Sequence, residues 1–220
     1  MLIYIVRHSE TKANVEGYFQ GWSNDPLNEN GIKLAEITGQ NMRNIIFDGC
    51  ISSPLSRAVE TAEILLKESN NDVNIQFDDR IKEINCGDYE GRKIKMDEVQ
   101  QFFRNPIQCQ KFPNGENVLM VMKRTQDFFQ ELISRNNDKT YLVVTHGCAL
   151  RAMLNFLYCD KKDFWHGHVP YNCCVNIVET KNGNARLIAD DMVYYSSDLI
   201  VDRYERGNKA HTIRFNDKNK

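Results

Sequence analysis

The sequence predicts an α/β fold, and two observations carry that prediction. The chain opens on a short apolar run, Leu2 to Val6, that lacks helical periodicity and reads as a buried strand. Far downstream, Thr140 to Thr145 repeats the pattern. It leads into Cys148 to Tyr158, whose apolar residues Leu150, Met153, Leu154 and Leu157 form a helical stripe. At 220 residues the chain can bury one substantial core and reads as a single domain over residues 1–220.

In chain order, the first strand ends in Arg7 and His8. That is the end where open α/β sheets place their ligand sites. Asn28 to about Ile46 is an amphipathic helix with Leu34, Ile37, Met42 and Ile45 on its apolar face. Gly49 to Ser52 leads into Ser53-Pro54, which reads as an N-cap and first-turn proline for a helix running through Ile64 and Leu65. Val73 to Phe77 reads as a strand, Met96 to Phe103 as a short helix and Val118 to Ile133 as a longer one. Val175 to Val178 and Leu187 to Ala189, with Met192-Val193 nearby, are further strands. The tail after about residue 202 is polar and is expected to pack loosely.

The residues at the strand ends suggest chemistry. An arginine fork such as Arg7 suits a phosphate, and a neighbouring imidazole such as His8 could attack one. His146 falls between a strand end and a helix opened by Gly147, where backbone N–H groups and the helix dipole favour anions. Arg57 lies about one turn into its helix, able to point back toward the strand ends. Each alone reads equally well as a turn histidine or a solvated arginine. Two strand-end histidines in anion-friendly positions are a stronger signal together.

These segments, taken in order, resemble the histidine phosphatase superfamily, the phosphoglycerate mutase-like group. Arg7 to Asn14 looks like its opening motif, and Gln20 to Gly31 like the substrate loop and helix start that follow. Ser53 to Ala58 with Thr61-Ala62 is similar to its second arginine motif. Ile81 to Gly91 matches the acid-bearing segment, Pro113 to Glu116 a later loop, and Val144 to Gly147 the second histidine motif. The resemblance implies a three-layer sandwich, a mostly parallel central sheet with helices on both faces. It also implies a phosphohistidine intermediate on His8, with Glu83 as the proton donor that is protonated in the substrate complex. Arg7, Arg57 and His146 would neutralise the phosphate, while Asn14, Gln20, Gly21, Ser9 and Gly147 would contact substrate. Glu10, Glu90 and Asn172 are expected to be structural.

One position departs from the family: Ser9 stands where its opening motif has glycine. Either the backbone there tolerates a Cβ or the pocket is distorted, and the hydroxyl could donate to a phosphate oxygen. No metal or cofactor is called for, because the arginines and histidine already supply the positive field. His166 and His168 lack the cysteine or carboxylate pattern of a zinc site; with Trp165 and Tyr171 they are expected to cover the sheet or edge the pocket.

A formal net charge of −2 argues against nucleic-acid and anionic-membrane binding. No apolar run reaches membrane-span length, and seven cysteines without paired spacing suggest reduced thiols in a cytoplasmic protein. The expected partner is a small phosphorylated metabolite; a homo-oligomer stays open. The leading function is a metal-independent phosphatase of small phosphomonoesters such as sugar phosphates. The alternatives are a phosphoglycerate mutase and, because of Ser9, a phosphate-binding module without turnover. Mutases of this family carry a longer basic insertion than the cap at 92–112, which holds Phe102, Phe103 and Phe112, so hydrolysis is favoured. Arg92, Lys93, Lys95, Arg104 and Lys111 leave cap charges that could greet an anion.

Overall fold

The computed structural model of the chain describes residues 1–135 and 137–200, with the backbone alone at 96–99. The expected polar tail after about residue 202 lies outside the described residues. Among the described residues six strands form one sheet: β1 (Leu2–Arg7), β2 (Gly49–Ser52), β3 (Ile75–Phe77), β4 (Thr140–Thr145), β5 (Val175–Lys181) and β6 (Asn184–Met192). Their order is β3-β2-β4-β1-β5-β6. The first four in that order run parallel, and the hairpin β5–β6 continues the sheet antiparallel. The sheet is thus mostly parallel, as expected.

The strands alternate cleanly between two cores. Val6, Cys50, Leu142 and Val144 face α2 (Glu29–Asn41) and α3 (Ser56–Glu68), where they pack on Leu34, Met42, Ala62 and Leu65. Ile3, Ile5, Ile51 and Val143 face α5 (Val118–Ser134) and α6 (Gly147–Leu154) and meet Phe129, Leu132, Leu150 and Met153. Strands buried on both faces read as continuous apolar runs for this reason. Helices cover both faces, giving three layers. A third cluster, around Phe102, Phe112, Val118, Ala149 and Trp165, ties α4 (Met96–Arg104) to the first turns of α6. No described helix is long and apolar enough to cross a membrane.

Several elements differ from the sequence reading. α2 ends at Asn41 rather than near Ile46, and β3 is shorter than Val73 to Phe77. The helix after β2 begins at Ser56 with Leu55 as its N-cap, and no side chain caps it, so Ser53-Pro54 is not its start. The second histidine helix stops at Leu154 and passes into a 3₁₀ turn, Asn155–Leu157. His166 stacks on Tyr158 with ring centroids 3.5 Å apart, and His168 Nε2 faces Asp191 Oδ2 at 3.1 Å. Among the described residues no group of three or more histidine, cysteine or acidic side chains is placed to hold a metal ion.

The start of α2 is held against the end of β1. Asn28 caps the helix by accepting from the Gly31 N–H at 2.7 Å, and its side-chain amide donates to Glu10 at 2.9 Å. Gly31 packs so closely that a Cβ there would overlap the Glu10 carbonyl. In an open helix, Gly→Ala stabilises by about 1 kcal/mol. Overpacking against backbone instead costs roughly 1–3 kcal/mol. Gly31→Ala is therefore expected to lower the urea midpoint, whereas a raised midpoint would show that the contact between Gly31 and Glu10 yields easily.

Candidate active site

Strand register assembles the site. β1 and β4 pair in parallel with Arg7 opposite Thr145, so His8 and His146, one residue further on, emerge side by side. The His8 N–H donates to the Thr145 carbonyl at 2.7 Å, and the two imidazoles lie 5.1 Å apart between centroids. β2 pairs on the other side of β4, and the first turn of α3 brings Arg57 to the same sheet edge. Arg7, His8, Arg57 and Glu83 line one cleft, together with Asn14, Gln20, Gly21 and Gly147. His146 is fully buried beside His8, behind the cleft wall.

The proton positions on His8 follow from its contacts. Nδ1 lies 2.7 Å from the Ser9 carbonyl, which can only accept, so Nδ1 carries the hydrogen and Nε2 keeps its lone pair. Burial holds the His8 pKa well below the usual histidine range, and the Arg57 and Arg7 guanidinium groups push it the same way. The imidazole is therefore neutral near pH 7. His146 is likewise lowered by burial, then by Arg57 and by His8. Its Nε2 lies 2.8 Å from the Ser53 hydroxyl, which also accepts from the Leu55 N–H at 3.3 Å. Taking the Ser53 hydroxyl as donor to His146 Nε2 assigns the ring hydrogen to Nδ1.

The cationic groups are held by backbone carbonyls. Arg57 donates to Ser23 O at 2.7 Å and to Gly21 O at 2.8 Å, and Arg7 donates to Pro170 O. Burial pushes Arg57 down to about 10, opposed by Glu83 and Asp25, so it stays charged at neutral pH. The Nε of Arg7, the Nε of Arg57 and Nδ1 of His146 are buried and lack a hydrogen-bond partner among the described residues. An unmet buried donor costs about 1–3 kcal/mol, so these groups favour an incoming anion.

Glu83 is held from the other side. Its carboxyl accepts from the N–H groups of Ile84 at 2.9 Å and of Cys148 and Ala149 at 3.2 Å. The amides at the start of α6, expected from sequence to favour a bound anion, thus serve the Glu83 carboxyl instead. Arg124 grips the same segment, donating to Glu83 O at 2.8 Å and to Lys82 O at 2.6 Å. Its fork also pairs with Glu116 at 2.8 Å. From sequence Ser53 reads only as a helix cap and Arg124 is not singled out at all, because each acts here through a contact distant along the chain.

Substrate-loop residues are positioned by one another. The Thr11 hydroxyl lies between Asn14 Oδ1 and Gln20 Oε1, and Asn172 donates to Asn14 Oδ1 at 3.2 Å, which leaves the Asn14 amide hydrogens to the cleft. Asn172 also bonds the His8 and Ser9 carbonyls. Gly21 adopts φ +52, and a Cβ there would collide with the Glu90 carboxylate. That carboxylate accepts from Trp22 N–H and Cys86 N–H, and Glu10 accepts from Asn28 and Asn30. Besides His146, which lies behind the cleft wall, Ser9 is an expected contact that points elsewhere. Its hydroxyl donates to Gly31 O at 2.6 Å, its N–H donates to Thr61 Oγ1 at 2.9 Å, and it does not line the cleft. Its backbone needs no positive φ, so a Cβ fits without distorting the site.

Comparisons agree with this geometry. Residues 3–190 match the model of the histidine phosphatase superfamily, branch 1. A protein named "Probable phosphoglycerate mutase GpmB" from Salmonella arizonae is 31% identical over 158 residues, 70% of this chain and 73% of its own length. The structure of Bacillus stearothermophilus YhfR superposes with a TM-score of 0.77 at 30% identity, covering 86% of this chain and 96% of that one. A phosphoserine phosphatase mutant from Entamoeba histolytica, in complex with phosphoserine, shares the fold. Its TM-score is 0.73 at 24% identity, over 86% of this chain and 95% of that one. With a family match spanning most of its length, the chain belongs to the histidine phosphatase superfamily.

Proposed function

We propose that the chain is a phosphomonoesterase that works through a phosphohistidine on His8 Nε2. The observation that carries this reading is a neutral His8 with a free Nε2 lone pair, bordered by unmatched buried donors on Arg7, Arg57 and His146. The arginines and the His146 N–H would take up the phosphoryl oxygens, where charge grows in the transition state. Nε2 attacks phosphorus and the P–O bond to the leaving group breaks, with Glu83 giving its proton to the departing oxygen. Water then attacks the phosphohistidine while Glu83 accepts its proton, and the P–N bond breaks, returning the lone pair to Nε2. The cations are supplied by side chains, so turnover is expected to persist in excess chelator. The name of the Salmonella arizonae relative supports a second reading, transfer of the phosphoryl group between phosphoglycerates.

His8→Ala is expected to abolish both phosphate release and acid-labile labelling of the protein by a phosphorylated substrate; survival of either signal removes His8 as nucleophile. Replacing Glu83 by Gln should slow hydrolysis of alkyl esters by about 10²–10⁴-fold. Aryl esters, whose leaving oxygen needs less help, should suffer less; an equal loss for both would argue against proton donation.

The depressed histidines also set a pH dependence. The folded chain keeps His8 and His146 neutral, while the unfolded chain binds protons below roughly pH 6.5. Stability therefore rises with pH through that region and falls as pH drops below it. Melting temperature is expected to decline from pH 7 to 5, and less steeply in His8→Asn. A parallel decline in that variant would place the proton uptake elsewhere.

A further inference from the structure

Beyond Arg7, His8, Arg57 and Glu83 the cleft changes character. The rest of its lining includes Tyr18, Phe19, Ile94, Phe102, Phe103, Trp165 and Val169. These rings brace one another: Phe103 stacks on Trp165 at 6.1 Å and 25°, and Phe102 meets Trp165 edge-on at 5.7 Å. Phe112 supports both Phe102 and Phe19, at 5.4 Å and 5.8 Å. Among the described residues, Arg7 and Arg57 are the cationic side chains lining the cleft, and both belong to its phosphate end. Arg92, Lys93, Lys95, Arg104 and Lys111 of the cap are exposed and do not line it. Arg92 lies over the Tyr89 ring instead. The cap charges expected to greet an anion therefore leave the cleft wall to apolar side chains.

Resting on the phosphomonoesterase reading, we infer that the site takes phosphomonoesters whose leaving group is uncharged and apolar, flat or aromatic, in preference to phosphorylated carboxylic acids and bisphosphates. A second anion on the substrate would leave water for a wall of rings with no countercharge, and would approach the Glu83 carboxyl. An aryl group would instead bury its faces against rings already held in place, gaining both area and edge-to-face contacts. The same asymmetry disfavours phosphoglycerate as substrate.

Unreactive phosphonates test this without turnover. Benzylphosphonate and phosphonoacetate present a similar anion, one carrying a ring and the other a carboxylate, and calorimetric titration of the wild-type protein with each compares the two. Benzylphosphonate is expected to bind at least about tenfold tighter. Phe103→Ala should shrink that gap several-fold by weakening benzylphosphonate alone. Equal or tighter binding of phosphonoacetate overturns the inference, as does a gap that Phe103→Ala leaves unchanged. Because binding is read independently of phosphate release, an inactive protein would count against the His8 mechanism and not against this preference.

Discussion

The parallel pairing of β1 with β4 is the constraint on which the site depends. The bond from His8 N–H to Thr145 O extends the ladder one residue past the strand end and sets the two imidazoles abreast. Side chains alternate across a strand, so a slip of one residue would exchange the faces of β1 and bury its polar end in the wrong core. Ile3 and Ile5 on one face, with Tyr4 and Val6 on the other, make such a slip costly. The site thus borrows its register from the hydrophobic core beneath it.

Concentrating positive charge in a buried place carries a cost, and the arrangement limits it in two ways. Both histidines are kept neutral, so the positive charge beside the nucleophile comes from the guanidinium groups of Arg7 and Arg57. Those groups are partly solvated by carbonyls of Gly21, Ser23 and Pro170, which stabilise a cation without cancelling it. A carboxylate partner in the same role would neutralise the field that an anion is meant to feel. Glu83 stays nearby, but its oxygens are engaged by three backbone N–H groups rather than by either arginine. The remaining unmatched donors lower stability, and in the proposed reaction they would meet an anion already oriented.

Much of this was legible in the sequence because it is local. The strand ending in Arg7-His8 and the strand ending in His146-Gly147 are apolar runs with an abrupt polar stop, and both lie where expected. What was not legible depends on contacts between distant segments. Ser53 has the composition of an N-cap, but its hydroxyl is drawn to His146, 93 positions away, and the helix starts later. Ser9 looked like a phosphate ligand because of its neighbours, yet Gly31 lies close enough to take its hydroxyl. The amides of α6 suited an anion in general, and only the fold reveals that Glu83 reaches them first. Local sequence gives the type of group each position offers; which partner claims it is decided by packing.

The two ends of the cleft are joined through one loop. Residues 164–171 carry Trp165 and Val169 of the apolar wall and also the Pro170 carbonyl that holds Arg7. Beneath that loop, Arg151 is fully buried in α6, pairs with Asp190 and Asp191 of β6, and donates to His168 O at 3.4 Å. A buried ion pair of this kind adds little net stability against an apolar substitute, but breaking it leaves an uncompensated charge. Its structural consequence here is geometric: the antiparallel hairpin is anchored to α6, and the loop between them is fixed at both its polar and its apolar contacts. The hairpin β5–β6 therefore does more than extend the sheet. It sets how far the ring-lined wall stands from Arg7, and in the proposed reaction that spacing would link the leaving group to the position of the phosphoryl group.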